Sequence, residues 1–258
     1  METYMIILLL AVGLYTVFPR NERRLLVLLK LKGSENELYS LQNIDDILKI
    51  ERNLDGHLGK DDKLTVDWEY ALVSKRISSE DSVEQLSRYF NQLTFIKKLE
   101  IYPFEAAEGK RVLINFIIKI KGLFVKYVTG ESLSPRVGTG KEASSFLNEL
   151  RTQICSEQAR SQTYSSIMVN IMKKKDPDVF SIYENTCLFK LFPLVGATIS
   201  RVGIPHSENW NNIAVVEYES RSGFCDMSLS TVMEANLQYK KEGLSDAQTY
   251  LTHRITHK

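Results

Sequence analysis

The sequence predicts an α+β protein made of two tandem domains with antiparallel sheets, preceded by one transmembrane helix. Three observations carry this reading. An uncharged apolar run, Tyr4 to Phe18, stands at the amino terminus. Strand-like and helix-like segments then follow in the same order in each half of the chain. A Trp recurs at matched spacing, since Leu26 to Trp68 and Met168 to Trp210 both span 42 positions. The expected organisation is an anchor over 1–19, a first α+β domain over 23–121, a linker with a connecting helix over 122–163, and a second α+β domain over 164–258.

The anchor comes first in the chain. YMIILLLAVGLYTVF is 15 residues long, near the lower end of what spans a bilayer. Glu2 precedes it and Phe18-Pro19-Arg20 follows, which is unlike the basic start and small-residue end of a cleavable signal peptide. Arg20, Arg23, Arg24, Lys30 and Lys32 lie just after the run and no basic residue lies before it. The positive-inside rule then places the bulk of the chain in the cytoplasm, behind a single pass that suits a bacterial inner membrane. The expected membrane contact is the bilayer, through residues 4–18.

In the first domain, Arg24–Lys32 (RLLVLLKLK) reads as a buried strand ending at Gly33. Leu38, Leu41, Ile44, Ile47 and Leu48 fall at helical spacing and predict a helix over Glu35–Asn53. A loop containing Gly56, Gly59 and Asp61-Asp62 leads to a strand over Leu64–Ser74. Ser78, with Asp81 three residues on, caps a helix bearing Val83, Leu86, Phe90 and Leu93. Phe95–Phe104 is a further strand, and the β-like run KRVLINFIIKIK, Lys110 to Lys121, is expected either to add one more strand or to begin the linker. Gly130–Gly140 is a Gly-, Ser- and Pro-rich connection, followed by a helix from Lys141 to about Gln158.

In the second domain, Ser166–Ile171 is strand-like. Asp176-Pro177 starts a helix, Pro being suited to a first helical position, with Phe180, Tyr183, Cys187, Leu188 and Leu191 as its apolar stripe. Leu194–Gly203 and Trp210–Tyr218 are strands joined by GIPHSEN. Ser220 caps a helix carrying Phe224, Met227 and Val232, and Gln248–Ile255 closes the domain as a strand. Trp68 to Ser78 and Trp210 to Ser220 both span ten positions, so the halves read as an internal duplication.

Residues Tyr164 to Ile255, roughly 90 of 258, are similar to DUF1330-type proteins of the dimeric α/β-barrel superfamily. The residues carrying this are Met168-Val169-Asn170, Tyr183, Gly196-Ala197, Gly203, Trp210 and Ile213–Val216. The run Tyr218-Glu219-Ser220-Arg221-Ser222-Gly223-Phe224 and Gly243-Leu244-Ser245-Asp246 continue it. The resemblance implies two tandem ferredoxin-like α/β-barrel-type domains, each a sheet with helices on one face, pairing within the chain or by homodimerisation. The first is divergent: Val73-Ser74-Lys75-Arg76 stands where the second has Tyr-x-Ser-Arg. The superfamily hosts many chemistries, so the likeness alone assigns none.

Composition excludes several classes. Thirty-three Lys and Arg against 32 Asp and Glu leave no basic excess for phosphate binding, which argues against nucleic acid. Cys155, Cys187 and Cys225 form neither a disulfide framework nor a zinc pattern and read as free buried thiols. Val137-Gly138-Thr139-Gly140-Lys141-Glu142 lacks the first Gly and the final Ser or Thr of a phosphate loop. His253 and His257 are four apart but lack a third ligand, and neither a cofactor nor a metal is expected. The candidate ligand site is His206 in the GIPHS loop, Arg201, Arg221 at a helix start where anions are favoured, Tyr183 and Trp210. Trp210 and Tyr218 are expected to share one strand face.

With no catalytic motif in view, the leading expectation is a membrane-anchored protein that binds a protein partner or small ligand. The alternatives are an α/β-barrel enzyme, monooxygenase- or isomerase-like, acting on a small organic substrate, and a structural subunit of a membrane complex. A polar cavity in the second domain would favour the enzyme. A filled interior with an exposed apolar patch would favour binding.

Overall fold

A computed structural model of the chain describes residues 21–54, 68–131, 133 and 154–255. Eight strands occur in it: β1 Glu22–Leu31, β2 Ile44–Asn53, β3 Tyr70–Ser74, β4 Ile96–Ala106, β5 Ser166–Lys174, β6 Ala197–Pro205, β7 Asn212–Tyr218 and β8 Leu244–Arg254. They pair antiparallel around one closed barrel in the order β1-β3-β2-β8-β5-β7-β6-β4. This corrects the expectation of two tandem domains with separate sheets. Each half supplies four neighbouring strands, and the sheet closes only where β2 meets β8 and β4 meets β6.

A single barrel explains why the strands are so apolar, because both faces of the sheet are covered. On β1, Leu26 and Leu28 point inward, while Leu25, Val27 and Leu29 lie beneath the helix α1, Glu80–Gln92. Inside, Leu48, Ile50, Phe104, Ile167, Val169 and Val215 pack together, with Trp68 and Trp210 joining the same cluster. One end carries an ion network. Arg254 bonds Asp46 at 2.8 Å and Glu217 at 3.1 and 3.2 Å. Arg24 bonds Asp45 at 2.7 Å, Glu22 at 2.8 Å and the Ser74 carbonyl. Arg201 shares Asp45 at 3.1 Å. These pairs tie β1, β2, β6, β7 and β8 together and leave each inward charge with a partner, as burial demands.

Several local expectations change. Glu35–Asn53 is not one helix but a 3-10 turn, Glu35–Ser40, then β2, because Asn43 takes a left-handed φ of 63° between them. In β2, Asp46, Leu48 and Ile50 are buried at period two, which overrides the helical spacing of the same apolar residues. Lys110–Lys121 is not a strand; it lies in α2, Glu108–Phe124, with Ile114 and Ile118 buried one turn apart. Asn115 docks α2 on β6, donating to the Ile199 carbonyl at 2.7 Å and accepting its N–H at 2.8 Å. Ser79 rather than Ser78 caps α1, so the first of the matched ten-residue spacings is off by one. The two halves also differ in their first connection, a 3-10 turn against a longer helical stretch. The reading of an internal duplication is therefore withdrawn.

That longer stretch is α4, Pro177–Thr186, a π turn and α5, Phe192–Val195. A short α3, Glu157–Arg160, precedes β5, and α6, Arg221–Ser228, and α7, Thr231–Gly243, precede β8. Asp176 and Ser220 cap α4 and α6 as expected. Cys155 and Cys225 are not free: they form a disulfide with Cα atoms 5.5 Å apart, and Cys187 alone of the three is a free, buried thiol. Among the described residues no helix is long and apolar enough to cross a membrane. The single-pass placement is set aside accordingly, while the run Tyr4–Phe18 that prompted it lies outside the described residues, as do His57, His257 and the loop from Val137 to Glu142.

Candidate functional site

β2 and β8 meet at a bulge. Ile50 pairs with Thr252 and Arg52 with Leu251, so Glu51 is the extra residue between them. A bulge re-aims the side chain of the residue it contains, and here it brings the Glu51 carboxylate to His253 of β8. Glu51 Oε1 lies 2.7 Å from His253 Nδ1. Its other oxygen, Oε2, accepts from Arg221 Nη2. Arg221 is the first residue of α6, held at the helix start by the Ser220 cap, and it is 1% exposed. Its Nε has no hydrogen-bond partner among the described residues. Tyr164, two residues before β5, completes the group: its ring centroid is 4.8 Å from that of His253 and 5.9 Å from the Arg221 guanidinium carbon.

The electrostatics favour a fixed carboxylate. Burial pushes the Glu51 carboxyl up, but the His253 hydrogen bond and the Arg221 charge outweigh it and hold the group below the usual carboxylate range. Burial and then the Glu51 charge push the Tyr164 phenol up, so it stays protonated. Glu51 fixes the imidazole by its Nδ1, and no described residue bonds its Nε2, which leaves that nitrogen as the one able to take a proton. Both side chains keep 23% of their surface exposed, so the pair is in contact with solvent.

Of the five candidate ligand residues read from sequence, only Arg221 belongs to this group. Arg201 points into the barrel and joins the ion network. His206 follows β6 outside this group, its Nε2 3.9 Å from Glu105. Trp210 precedes β7 and packs on the interior cluster, whereas Tyr218 lies in the outer cluster under the helices. They do not share a face, because Trp210 is outside the strand. Tyr183 packs between α4 and α7, where Asn236 donates to its carbonyl at 3.1 Å. Glu51, His253 and Tyr164 were missed as a set. Glu51 and His253 are 202 positions apart, and no local motif joins them.

Two other features compete for attention. A cleft of about 930 Å³ lies outside the barrel between α2, α5 and α6, with Ile118, Val125, Phe192 and Val195 in its walls. Ser220 and Ser222 face it, while Arg221 between them turns to Glu51. Its ionic groups include the pair Arg160–Asp226 at 2.5 Å, and among the described residues no His or Cys lines it. The second feature is Cys187, which burial, only partly offset by Tyr183 and Lys240, pushes up to about 12. A thiol so placed is no nucleophile at neutral pH. Iodoacetamide at pH 8 is expected to leave Cys187 unmodified in the native protein and to label it fully in denaturant, read by intact mass. Among the described residues no three His, Cys, Asp or Glu side chains converge to hold a metal.

No protein-family model matches the chain and no curated protein matches it significantly, so the likeness to DUF1330-type proteins stays an expectation. Two solved structures are similar in overall shape. A candidate monooxygenase from Fusobacterium nucleatum subsp. nucleatum aligns with 93% of this chain and 94% of its own, at 8% identity and a TM-score of 0.48. A candidate monooxygenase from Lactobacillus acidophilus aligns with 92% of this chain and 95% of its own, at 11% identity and a TM-score of 0.41.

Proposed function

We propose that the chain is an enzyme that moves a proton on a small organic substrate, with His253 as general base, which is the isomerase-like form of the enzyme reading. The observation that carries it is the hydrogen bond from His253 to an ionised, Arg-held Glu51 at a site in contact with solvent. His253 Nε2 takes a proton from a carbon next to a carbonyl, and Glu51 stabilises the imidazolium that forms. Returning the proton to a neighbouring atom isomerises the substrate. Arg221 and Tyr164 are positioning residues: the first fixes the carboxylate, the second fixes the plane of the ring. The barrel interior is filled with apolar side chains, so the chemistry belongs to the rim.

The test is solvent exchange. A panel of ketones and 1,3-dicarbonyl compounds is incubated in heavy water and followed by proton NMR. The protein is expected to speed deuterium uptake into at least one member, and His253→Asn to abolish the effect. If no member exchanges faster with the protein than with the variant, the reading fails. A binding role draws on a different observation, the exposed Leu123, Phe124, Tyr127 and Val128 at the end of α2 and the turn after it. On that reading Phe124→Asp removes partner binding and leaves deuterium exchange unchanged.

A further inference from the structure

The walls of the His253 site sit on two segments, the strand-leading stretch 154–165 with Tyr164 and the helix α6 with Arg221. These segments are fastened to each other away from the site itself. Cys155 is joined by the disulfide to Cys225, which stands one helical turn after Arg221. Arg160 adds an ion pair to Asp226 at 2.5 Å, and its Nε donates to the Cys155 carbonyl at 3.2 Å. The Tyr164 hydroxyl donates to Gln162 within its own stretch at 2.6 Å, and its phenol and ring also interact with Glu51, Arg221 and His253. The ring meets His253 where the whole stretch is held against α6.

We propose that the Cys155–Cys225 disulfide is the positioning element of the Glu51–His253 site, so that the site is assembled in the oxidised protein and opened by a dithiol. This rests on the function proposed above and names its control. The exchange is balanced: a dithiol passes two electrons and two protons to the disulfide, leaving two cysteine thiols and the reagent as its own cyclic disulfide. Cys155 is 5% and Cys225 0% exposed, so attack waits on a local opening of 154–165 from α6, and reduction is slow in the native state. The Arg160–Asp226 pair alone does not hold the stretch, because an ion pair with one partner half exposed contributes little.

The experiment uses the full chain. Thiols are counted with a chromogenic disulfide reagent in denaturant. One is expected without reduction and three after it; three without reduction would overturn the proposal. The His253 ring is then followed by carbon–proton NMR in protein labelled at histidine. The Tyr164 ring at 4.8 Å shifts the His253 ring protons, and dithiothreitol is expected to move them to where Tyr164→Leu places them, while the amide signals of the barrel strands stay put. A disulfide shown to be reduced with unchanged His253 signals would refute the positioning role. Cys155→Ser with Cys225→Ser should give the reduced spectrum without reagent, and the reduced natural chain decides the matter if that variant does not fold. Oxidised protein with the Tyr164 shift intact and no deuterium exchange would sink the catalytic reading and leave the positioning role standing.

Discussion

Glu51→Gln is expected to lower stability by about 3 kcal/mol at neutral pH, which for a chain of this size is a fall of roughly 6–12 °C in Tm. The magnitude follows from what the change strands. Arg221 is 1% exposed and Glu51 is its carboxylate partner, so the neutral amide leaves a buried guanidinium without a counter-charge. An exposed pair is the contrast: Glu84 and Arg88 keep 68% and 74% of their side-chain surface, and Glu84→Gln should stay within about 0.5 kcal/mol. Adding Arg221→Met to Glu51→Gln should recover much of the loss, because removing both charges costs less than isolating one. Urea unfolding of the four chains measures this, and Glu51→Gln as stable as Glu84→Gln would show that the cluster is a solvated surface group.

The same residue gives a pH dependence with a definite sign. Its folded pKa is depressed, so in mild acid the unfolded chain binds the proton more readily than the folded one. The contribution of Glu51 is therefore complete above the ordinary carboxylate value of about 4.3 and is lost as pH falls through the lower folded value. The gap between the natural chain and Glu51→Gln should shrink below about pH 4.

What sequence could show here depended on whether the signal was local. Asp176-Pro177 and Ser220 cap helices through bonds to residues two or three positions on, and both were legible. The strand assignments of the second half held for the same reason, since alternation is written into neighbouring residues. α2 was misread because Val, Leu, Ile and Phe crowd its sequence; its helical period shows only in which of them are buried. The site was almost illegible. Arg221 could be found from its place after a cap, but Glu51 meets His253 only once β2 has paired with β8, a closure that no segment encodes. The disulfide, joining residues 70 apart, is likewise a consequence of the fold.

That closure is itself open to attack at one residue. Gly203→Val is expected to lower stability by about 3 kcal/mol or more and to do so for the whole barrel. A Cβ at Gly203 would lie 2.4 Å from the Glu105 carbonyl oxygen and 2.6 Å from Phe104 Cδ2. The oxygen belongs to backbone of the facing strand, so it cannot step aside as a flexible side chain would. The seam is short, with Phe104–Pro205, Glu105–Ile204 and Ala106–Gly203 paired and one backbone hydrogen bond beyond each end, from Ala107 to Val202 and from His206 to Pro103, so it has little pairing to spare. Forcing it apart exposes the edges of β4 and β6 and wets an interior to which both halves contribute. Two independent domains would respond differently: the half carrying the change would melt early and the other at its old temperature. Calorimetry and near-ultraviolet circular dichroism separate these outcomes. One transition moved down as a unit is expected, whereas a second transition at the natural Tm would mean that the halves hold their sheets alone.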